Sequence, residues 1–215
     1  MEHHDGAWVS YPVTLEAPRP AQFDRVQLLL RLLVLAVIGL VHQTAGGLVG
    51  FLFLLVPVVV GVLVSQRSGP KFLAEEGRRL VAALDWMIAF YGYLLFVLDR
   101  FPLRPGEDAV HVTVRPRGAP TTVSALSRLL TSLPHAVVLA ALGIACGLVG
   151  LVAAVSIAIT EQYPEALFSF QRDVLGYMAR LFAYHASLVD TYPPFSLGSG
   201  GGKPSSNDGG YAPPV

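Results

Sequence analysis

The chain has 215 residues, of which 53% are hydrophobic and 14% are charged, and its formal net charge is zero at pH 7. With a mean hydropathy of +0.55, it is more apolar than an ordinary soluble domain. The balanced charge gives no reason to expect nucleic-acid binding. The single cysteine excludes an intramolecular disulfide and a metal site built from several cysteines. Together these features predict a membrane protein whose first partner is the lipid bilayer.

The chain begins with a polar tail, predicted over residues 1–10. His3, His4 and Asp5 in this tail have metal-ligand chemistry, but nothing fixes them relative to one another, and no metal site is predicted there. A first membrane unit is predicted over residues 11–103. It opens with an apolar–polar alternation at residues 11–16, which is typical of a short strand.

Two apolar runs follow this strand, over residues 26–41 and 48–64, separated by an uncharged segment at residues 42–47. Each run is short for a spanning helix, which needs about 20 residues. We therefore predict an apolar helical hairpin that turns at residues 42–47 and either thins the bilayer or dips into it and returns. Because residues 42–46 make a poor cleavage site, the hairpin is interpreted as a retained anchor.

A more mixed helix is predicted next, roughly over residues 72–98. It begins with charged residues, ends in a strongly apolar stretch, and is expected to lie at the interface or to re-enter the membrane. Arg78 and Arg79 are candidate lipid-headgroup contacts. Asp85 interrupts the apolar stretch, so it is a candidate intramembrane polar site or, alternatively, an interface residue near those arginines.

A second unit, residues 110–197, follows a predicted linker at residues 104–109. Residues 110–114 alternate as a strand would, and the two strands are predicted to pair. Residues 129–160 carry no charge and exceed the length of one helix across a core of about 30 Å, so a hairpin with its midpoint at residues 146–150 is predicted.

The second unit ends with an amphipathic helix, predicted over residues 167–189. Arg172 and Arg180 fall on its wet face and are further candidate headgroup contacts. The Gly-, Ser- and Pro-rich residues 198–215 are predicted to be disordered.

Both units close on similar sequences, Asp-Arg-Phe-Pro at residues 99–102 and Asp-Thr-Tyr-Pro at residues 190–193. Proline ends a helix, and an aromatic ring can lie at headgroup depth. An aspartate near a helix C-terminus opposes the helix dipole, so it is expected to pair with an arginine or with freed backbone N–H groups. The predicted helix-stop and interface residues are Asp99, Phe101, Pro102, Tyr163, Pro164, Asp190, Tyr192 and Pro193.

The matched order of patterns predicts an all-α integral membrane protein of two tandem repeats. Each repeat is a short strand, an apolar helical hairpin and an amphipathic or re-entrant helix. Arginine and lysine avoid the two predicted turns and gather on the other side of both hairpins. By the positive-inside tendency, that side and both termini are expected in the cytoplasm.

Three histidines, His42, His135 and His185, have the chemistry of haem ligands, but nothing in the sequence places two of them at a common depth. Hydrogen bonding at an interface is favoured for them, and His135 is kept as a candidate intramembrane polar site. The sequence has no nucleophile elbow, phosphate-binding loop, zinc-protease motif or paired-cysteine motif. The prediction is therefore a protein that is not an enzyme, with no catalytic residue, no metal and no cofactor.

Several motifs of the second unit occur together: Leu-Pro-His at 133–135, Thr-Glu-Gln-Tyr-Pro at 160–164, Leu-Phe at 167–168 and the closing sequence at 190–197. They resemble a prokaryotic membrane domain of unknown function, domain family 4389. The resemblance covers residues 110–197 well and residues 11–103 loosely, so it implies a diverged first copy. It implies membrane residence without an established activity and carries over no functional residue. Together with the two predicted hairpins and the charge distribution, it predicts a multi-pass protein of the bacterial cytoplasmic (inner) membrane.

Three functional hypotheses follow. The leading one is a non-enzymatic membrane scaffold or accessory subunit bound to another membrane protein or to a second copy, because small residues for helix packing are abundant. A small-molecule or ion transporter is an alternative, in which Asp85, Pro57 and the glycine-rich turns line a broken-helix site. The third is a hairpin-type curvature or lipid-binding protein, since short hairpins load one leaflet more than the other.

Overall fold

The computed structural model describes residues 11–104, 110–116 and 118–198, without the side chains of residues 41–54. The predicted tail at residues 1–10, most of the linker at 104–109 and nearly all of the tail at 198–215 lie outside the described residues. The described chain is mostly helical, which confirms the helical class. Its elements, in chain order, are β1 (Val13–Glu16), α1 (Arg25–Arg67), α2 (Gly69–Leu94), β2 (His111–Val114), α3 (Thr122–Thr131), α4 (Leu133–Thr160) and α5 (Glu165–His185).

The two short strands form as predicted and pair with each other. β1 and β2 are antiparallel, with Val13 opposite Val114 and Leu15 opposite Val112. Val13 and Val112 are buried, whereas Thr14 and Thr113 between the apolar positions are exposed. The alternation that predicted the strands is therefore the alternation between the core and the outer face.

The first predicted hairpin is wrong, because α1 is one continuous helix of 43 residues. Asp24 caps its start, with the Asp24 Oδ1 accepting from the Val26 N–H at 2.7 Å. Residues 42–47 contain two glycines but no proline, and Pro57 lies inside the helix without ending it. In apolar surroundings an open turn leaves backbone groups unpaired, so continuing the helix is the favourable solution.

The second predicted hairpin is wrong for the same reason. α3 begins with a capping box between Thr121 and Ser124 and ends at Thr131, where the chain bends at Ser132 into α4. α4 then runs through residues 146–150 to Thr160, and Glu161 follows it with a positive φ of 57°. The chain therefore turns after Thr160, at the end of the apolar run, and not at residues 146–150 in its middle.

The predicted amphipathic surface helix, α5, is instead the most buried helix. Every residue from Val174 to Leu181 is buried, including Arg180 on the predicted wet face. β1 covers that face, since Leu15 lies within 3.8 Å of where a Cβ on Gly176 would stand. Distant elements therefore bury a face that, by its own sequence, suits water.

The long helices of the two units run in opposite directions. At one end the Phe23 N–H donates to the Glu161 carbonyl at 3.0 Å, joining the start of α1 to the end of α4. At the other end the Thr122 hydroxyl contacts the Gly61 carbonyl at 3.4 Å, joining the start of α3 to the last part of α1. This arrangement does not test the expectation that both termini lie in the cytoplasm, which stays a prediction.

One helix among the described residues, α4, is long and apolar enough to cross a membrane. Its most apolar stretch has a mean hydropathy of 2.6, and 11% of that stretch is buried inside the protein. The length and composition of α4 therefore support association of the protein with a membrane. α2, α5 and the two strands pack together into the main core on one side of it.

The helices α2 and α5 end in the same way, and proline is not responsible. In α2, Phe96 has a φ of 60°, and the Val97 N–H donates to the Gly92 carbonyl. In α5, Ser187 has a φ of 58° and the following N–H donates in the same manner. Both are Schellman ends in which a residue other than glycine takes the left-handed position. Pro102 and Pro193 come several residues later, so the predicted proline stops are wrong.

Ser187 offers a test of this end. Replacing it in Ser187→Gly should raise the free energy of unfolding by about 1 kcal/mol, because glycine adopts a positive φ without steric cost. The change also removes a buried hydroxyl that has no hydrogen-bond partner in the described protein. Ser187→Ala, which keeps the Cβ, should gain less. Chemical unfolding followed by circular dichroism measures both, and a destabilised Ser187→Gly variant would contradict the assignment.

Candidate functional site

A buried arginine in α1 holds the end of α2. Arg31 is 1% exposed, and its Nη2 donates to the Leu98 carbonyl at 2.6 Å and to the Asp99 carbonyl at 3.0 Å. The guanidinium lies 4.5 Å from the centre of the Tyr93 ring and 4.4 Å from that of Phe96. We call this set the first clamp. It gives a buried charge both hydrogen bonds and aromatic faces.

A second buried arginine holds the end of α5 in the same way. Arg128 of α3 is 3% exposed; it donates to the Tyr184 carbonyl, to the Val189 carbonyl at 2.8 Å and to the Asp190 Oδ1 at 2.5 Å. Its guanidinium lies 4.6 Å from the centre of the Tyr184 ring. We call this set the second clamp. Both clamps place an arginine against a tyrosine ring and give it the carbonyl of the residue before the stop aspartate. The aspartate adds its backbone carbonyl in the first clamp and its carboxylate in the second.

The two aspartates of the predicted stops have the partners that the sequence suggested. The Asp99 carboxylate accepts from the Asp24 N–H at 3.1 Å, and the Asp190 carboxylate accepts from the Ala119 N–H at 3.1 Å as well as from Arg128. Burial raises the pKa of the Asp99 carboxyl, and the Asp24 N–H and Arg31 lower it by less. Each aspartate joins the end of one helix to the entry of another.

The aromatic and proline residues of the stops are mostly packed inside. Phe101 lies against Tyr93, with ring centres 5.3 Å apart, and the carbonyl of the buried Pro102 accepts from the Trp86 indole. Tyr192 is partly exposed and donates to the Thr131 carbonyl. Pro193 is buried, whereas Pro164 is exposed and caps the start of α5.

Tyr163, predicted as an interface residue, lies fully inside the protein. Its hydroxyl donates to the Gln171 Oε1 at 2.6 Å, and the Gln171 amide donates to the Cys146 carbonyl at 3.0 Å. Burial raises the pKa of the Tyr163 hydroxyl, so it stays protonated. This chain of contacts fastens α5 to the middle of α4.

Asp85 contacts the sheet. Its Oδ1 accepts from the Val112 N–H at 2.6 Å, and its other oxygen lies 3.9 Å from the His111 Nδ1. An open groove of about 500 Å³ runs beside it, bordered by Arg78 and Pro116 among others. The arrangement fixes β2 on α2, and the carboxylate lines this groove between helix and sheet.

His135, the third residue of α4, is fully buried by aromatic rings. Its Nδ1 shares a hydrogen bond with the Tyr177 hydroxyl, and its ring stacks on Phe195 with centres 4.1 Å apart and planes 9° apart. The Nε2 has no hydrogen-bond partner in the described part of the protein. The cluster packs residues 192–195 against the start of α4.

The four candidate headgroup arginines have different surroundings. Arg78 and Arg79 are exposed on α2, and Arg172 is 42% exposed beside Asp173. Arg180 is 2% exposed and donates to the Ser196 and Gly198 carbonyls, so its predicted wet-face position is wrong. The sheet and residues 196–198 cover it.

Exposed apolar side chains form a continuous face on α1, α3 and α4 in the described part of the chain. Between Arg25 and Arg67 the only charged residue of α1 is Arg31, α3 has only Arg128, and α4 has none. Both inner arginines are buried in the clamps. We call the outward side of these helices the apolar face, and its exposed members on α3 and α4 include Val123, Leu130, Val137, Ile144, Leu148, Leu151, Val155 and Ile159.

No constellation for metal binding appears within the described ranges, where no three His, Cys, Asp or Glu side chains come together. The clamps themselves bind only the protein's own helix ends. The apolar face is therefore the feature that could contact another molecule over a wide area.

A family described as a domain of unknown function (DUF4389) matches residues 123–196. This range covers α3, α4, α5 and the second clamp, and it confirms the resemblance of the second unit to that family. No curated protein and no solved structure matches the chain significantly.

The clamp arginines and tyrosines were not predicted as site residues. The sequence carried a signal for them, since Arg-Leu-Leu occurs at residues 31–33 and again at 128–130. An arginine that interrupts an apolar run at the same place in both units indicates a buried charge that is paired with polar groups inside the protein.

Arg128→Lys tests the second clamp. The variant should lower the free energy of unfolding by about 2 kcal/mol, because an ammonium cannot reproduce three diverging hydrogen bonds to buried carbonyls and a carboxylate. Arg31→Lys should lose a similar amount if the first clamp acts in the same way. Arg79→Lys, at a side chain that is 81% exposed, is the matched control. An Arg128→Lys variant as stable as this control would rule out the clamp as a source of stability.

Proposed function

We propose that this protein is a non-enzymatic membrane scaffold or accessory subunit. The observation that carries the proposal is the apolar face, whose named members on α3 and α4, from Val123 to Ile159, are 60% to 78% exposed. Water disfavours so much contiguous apolar surface, whereas lipid or an apolar partner accepts it. The charged side chains of α2, the sheet and α5 lie elsewhere on the molecule.

Two glycines on α4 support a protein partner within the membrane. A Cβ added at Gly143 or Gly147 would meet nothing within 4 Å, so both positions face open space. Their spacing of four residues is that of small residues at which membrane helices approach closely. Another membrane protein, or a second copy of this chain, is the partner class that fits.

The two clamps support descent of both halves from one repeated unit. Arg31, Tyr93 and Asp99 in the first half correspond to Arg128, Tyr184 and Asp190 in the second, and the Schellman ends match as well. In this proposal the first half is a diverged copy of the family domain. A bacterial inner-membrane location remains part of the proposal, but without the hairpins that suggested several passes.

Two observations on the transporter hypothesis point in opposite directions. The antiparallel long helices of the two units match inverted repeats, which suit alternating access. The unbroken course of those helices counts against it. α1 passes Pro57 and α4 passes residues 146–150 as continuous helices, so neither forms the broken helix on which that hypothesis depends.

Chemical crosslinking in native membranes, followed by pull-down of the tagged full chain, tests the scaffold proposal. We expect a stable partner whose recovery falls in a Gly143→Leu/Gly147→Leu double variant, because bulky side chains keep a second helix away from α4. Val137→Leu, an exposed apolar position of α4 that lies roughly 100° around the helix from the two glycines, is the matched control and should keep the partner. Recovery of no stable partner with the unmodified chain would refute the proposal.

A further inference from the structure

We propose that the apolar face docks on a single leaflet of a lipid bilayer, with α1 and α4 lying in the membrane plane instead of crossing it. This deepens the proposed function, on which it rests, by specifying how the scaffold is seated. The occupant of the face is the hydrocarbon of one leaflet, and the sheet with α2 and α5 stands on the water side.

The first reason is the length of α1. Residues 32–66 carry no charged side chain and lie within one continuous helix. At 1.5 Å per residue this stretch is about 50 Å long, well beyond a hydrocarbon core of about 30 Å. A crossing helix of that length would push apolar side chains far into water on at least one side. A helix lying in the plane has no such limit.

The second reason is the level at which charges stand beside α4. Cys146 is halfway along α4, and its carbonyl accepts from Gln171 of α5. The two residues that follow Gln171 in α5, Arg172 and Asp173, have side chains that are 42% and 31% exposed. If α4 crossed the bilayer, this charged pair would stand at the midplane facing lipid, where charges are most costly.

In the in-plane seating the same pair faces water. The exposed Val137, Ile144, Leu151 and Ile159 point the opposite way from the buried Cys146 and would all reach the same depth. The span from Val137 to Ile159 is about 33 Å along the helix, close to the full thickness of a hydrocarbon core. Crossing and in-plane seating therefore predict different depths for these four positions.

Lipid headgroup charge is not required by this seating. At the two ends of α1, Arg25 pairs with Glu161 at 3.2 Å and Arg67 pairs with Glu76 at 2.8 Å. Both arginines thus have a carboxylate within the protein. Neutral phosphatidylcholine is accordingly the lipid on which the proposal is tested.

The experiment uses the full chain with Cys146→Ser, in which single cysteines at Val137, Ile144, Leu151 and Ile159 carry a nitroxide label. The proteins are bound to phosphatidylcholine vesicles, and the depth of each label is measured by its relaxation with oxygen and with a water-soluble nickel complex. We expect one common depth for all four labels and a label at Asp173→Cys that the nickel complex reaches from outside. Should Cys146→Ser not fold, Cys146→Ala provides the second background.

Each other result overturns the proposal in a distinguishable way. Deep labels at Ile144 and Leu151 with shallow labels at Val137 and Ile159 would mean that α4 crosses, leaving the scaffold proposal intact. Spin–spin broadening between copies without vesicle binding would mean that a second copy covers the face. No vesicle binding and no self-association would contradict both the seating and the membrane location behind the proposed function.

Discussion

Two guanidinium charges lie inside apolar helices, and the need to pair them shapes both halves of the protein. Arg31 and Arg128 are nearly without exposure, so each must be given carbonyl or carboxylate oxygens by the protein itself. All but one of those oxygens come from the chain just after α2 and α5, where the Schellman ends turn the backbone back towards the arginine. The exception is the Tyr184 carbonyl, in the last turn of α5. The clamps thereby fix where α2 and α5 end, and they keep the outward side of α1, α3 and α4 free of charge.

The separation of charge from the apolar face follows from this pairing. Asp24 and Ala119, at the entries to α1 and α3, donate backbone N–H groups to the stop aspartates, so each clamp is also joined to the entry of the helix that carries its arginine. The long helices then run in opposite directions on one side, and the sheet lies between α2 and α5 on the other. A molecule with one apolar and one charged side suits the boundary of a membrane better than either water or the bilayer centre.

The sequence predicted local features well and long-range burial poorly. The strands were predictable because Val13 and Val112 alternate with threonines, and the partners of Asp99 and Asp190 followed from helix-end electrostatics. The prediction of two hairpins failed, because glycines such as Gly147 weaken a helix without ending it where the backbone has no other hydrogen-bond partner. Arg180 was placed on a wet face because periodicity within α5 contains no information about the strand and the C-terminal residues that cover it.

In the proposed seating, one side of the protein enters one leaflet while the charged side stays in water. Neutron reflectometry of the full chain bound to a supported phosphatidylcholine bilayer measures this most directly, since it gives the distribution of protein along the membrane normal. We expect protein in the proximal leaflet and in the water layer above it, with the distal leaflet unchanged. Protein distributed through both leaflets would contradict this seating.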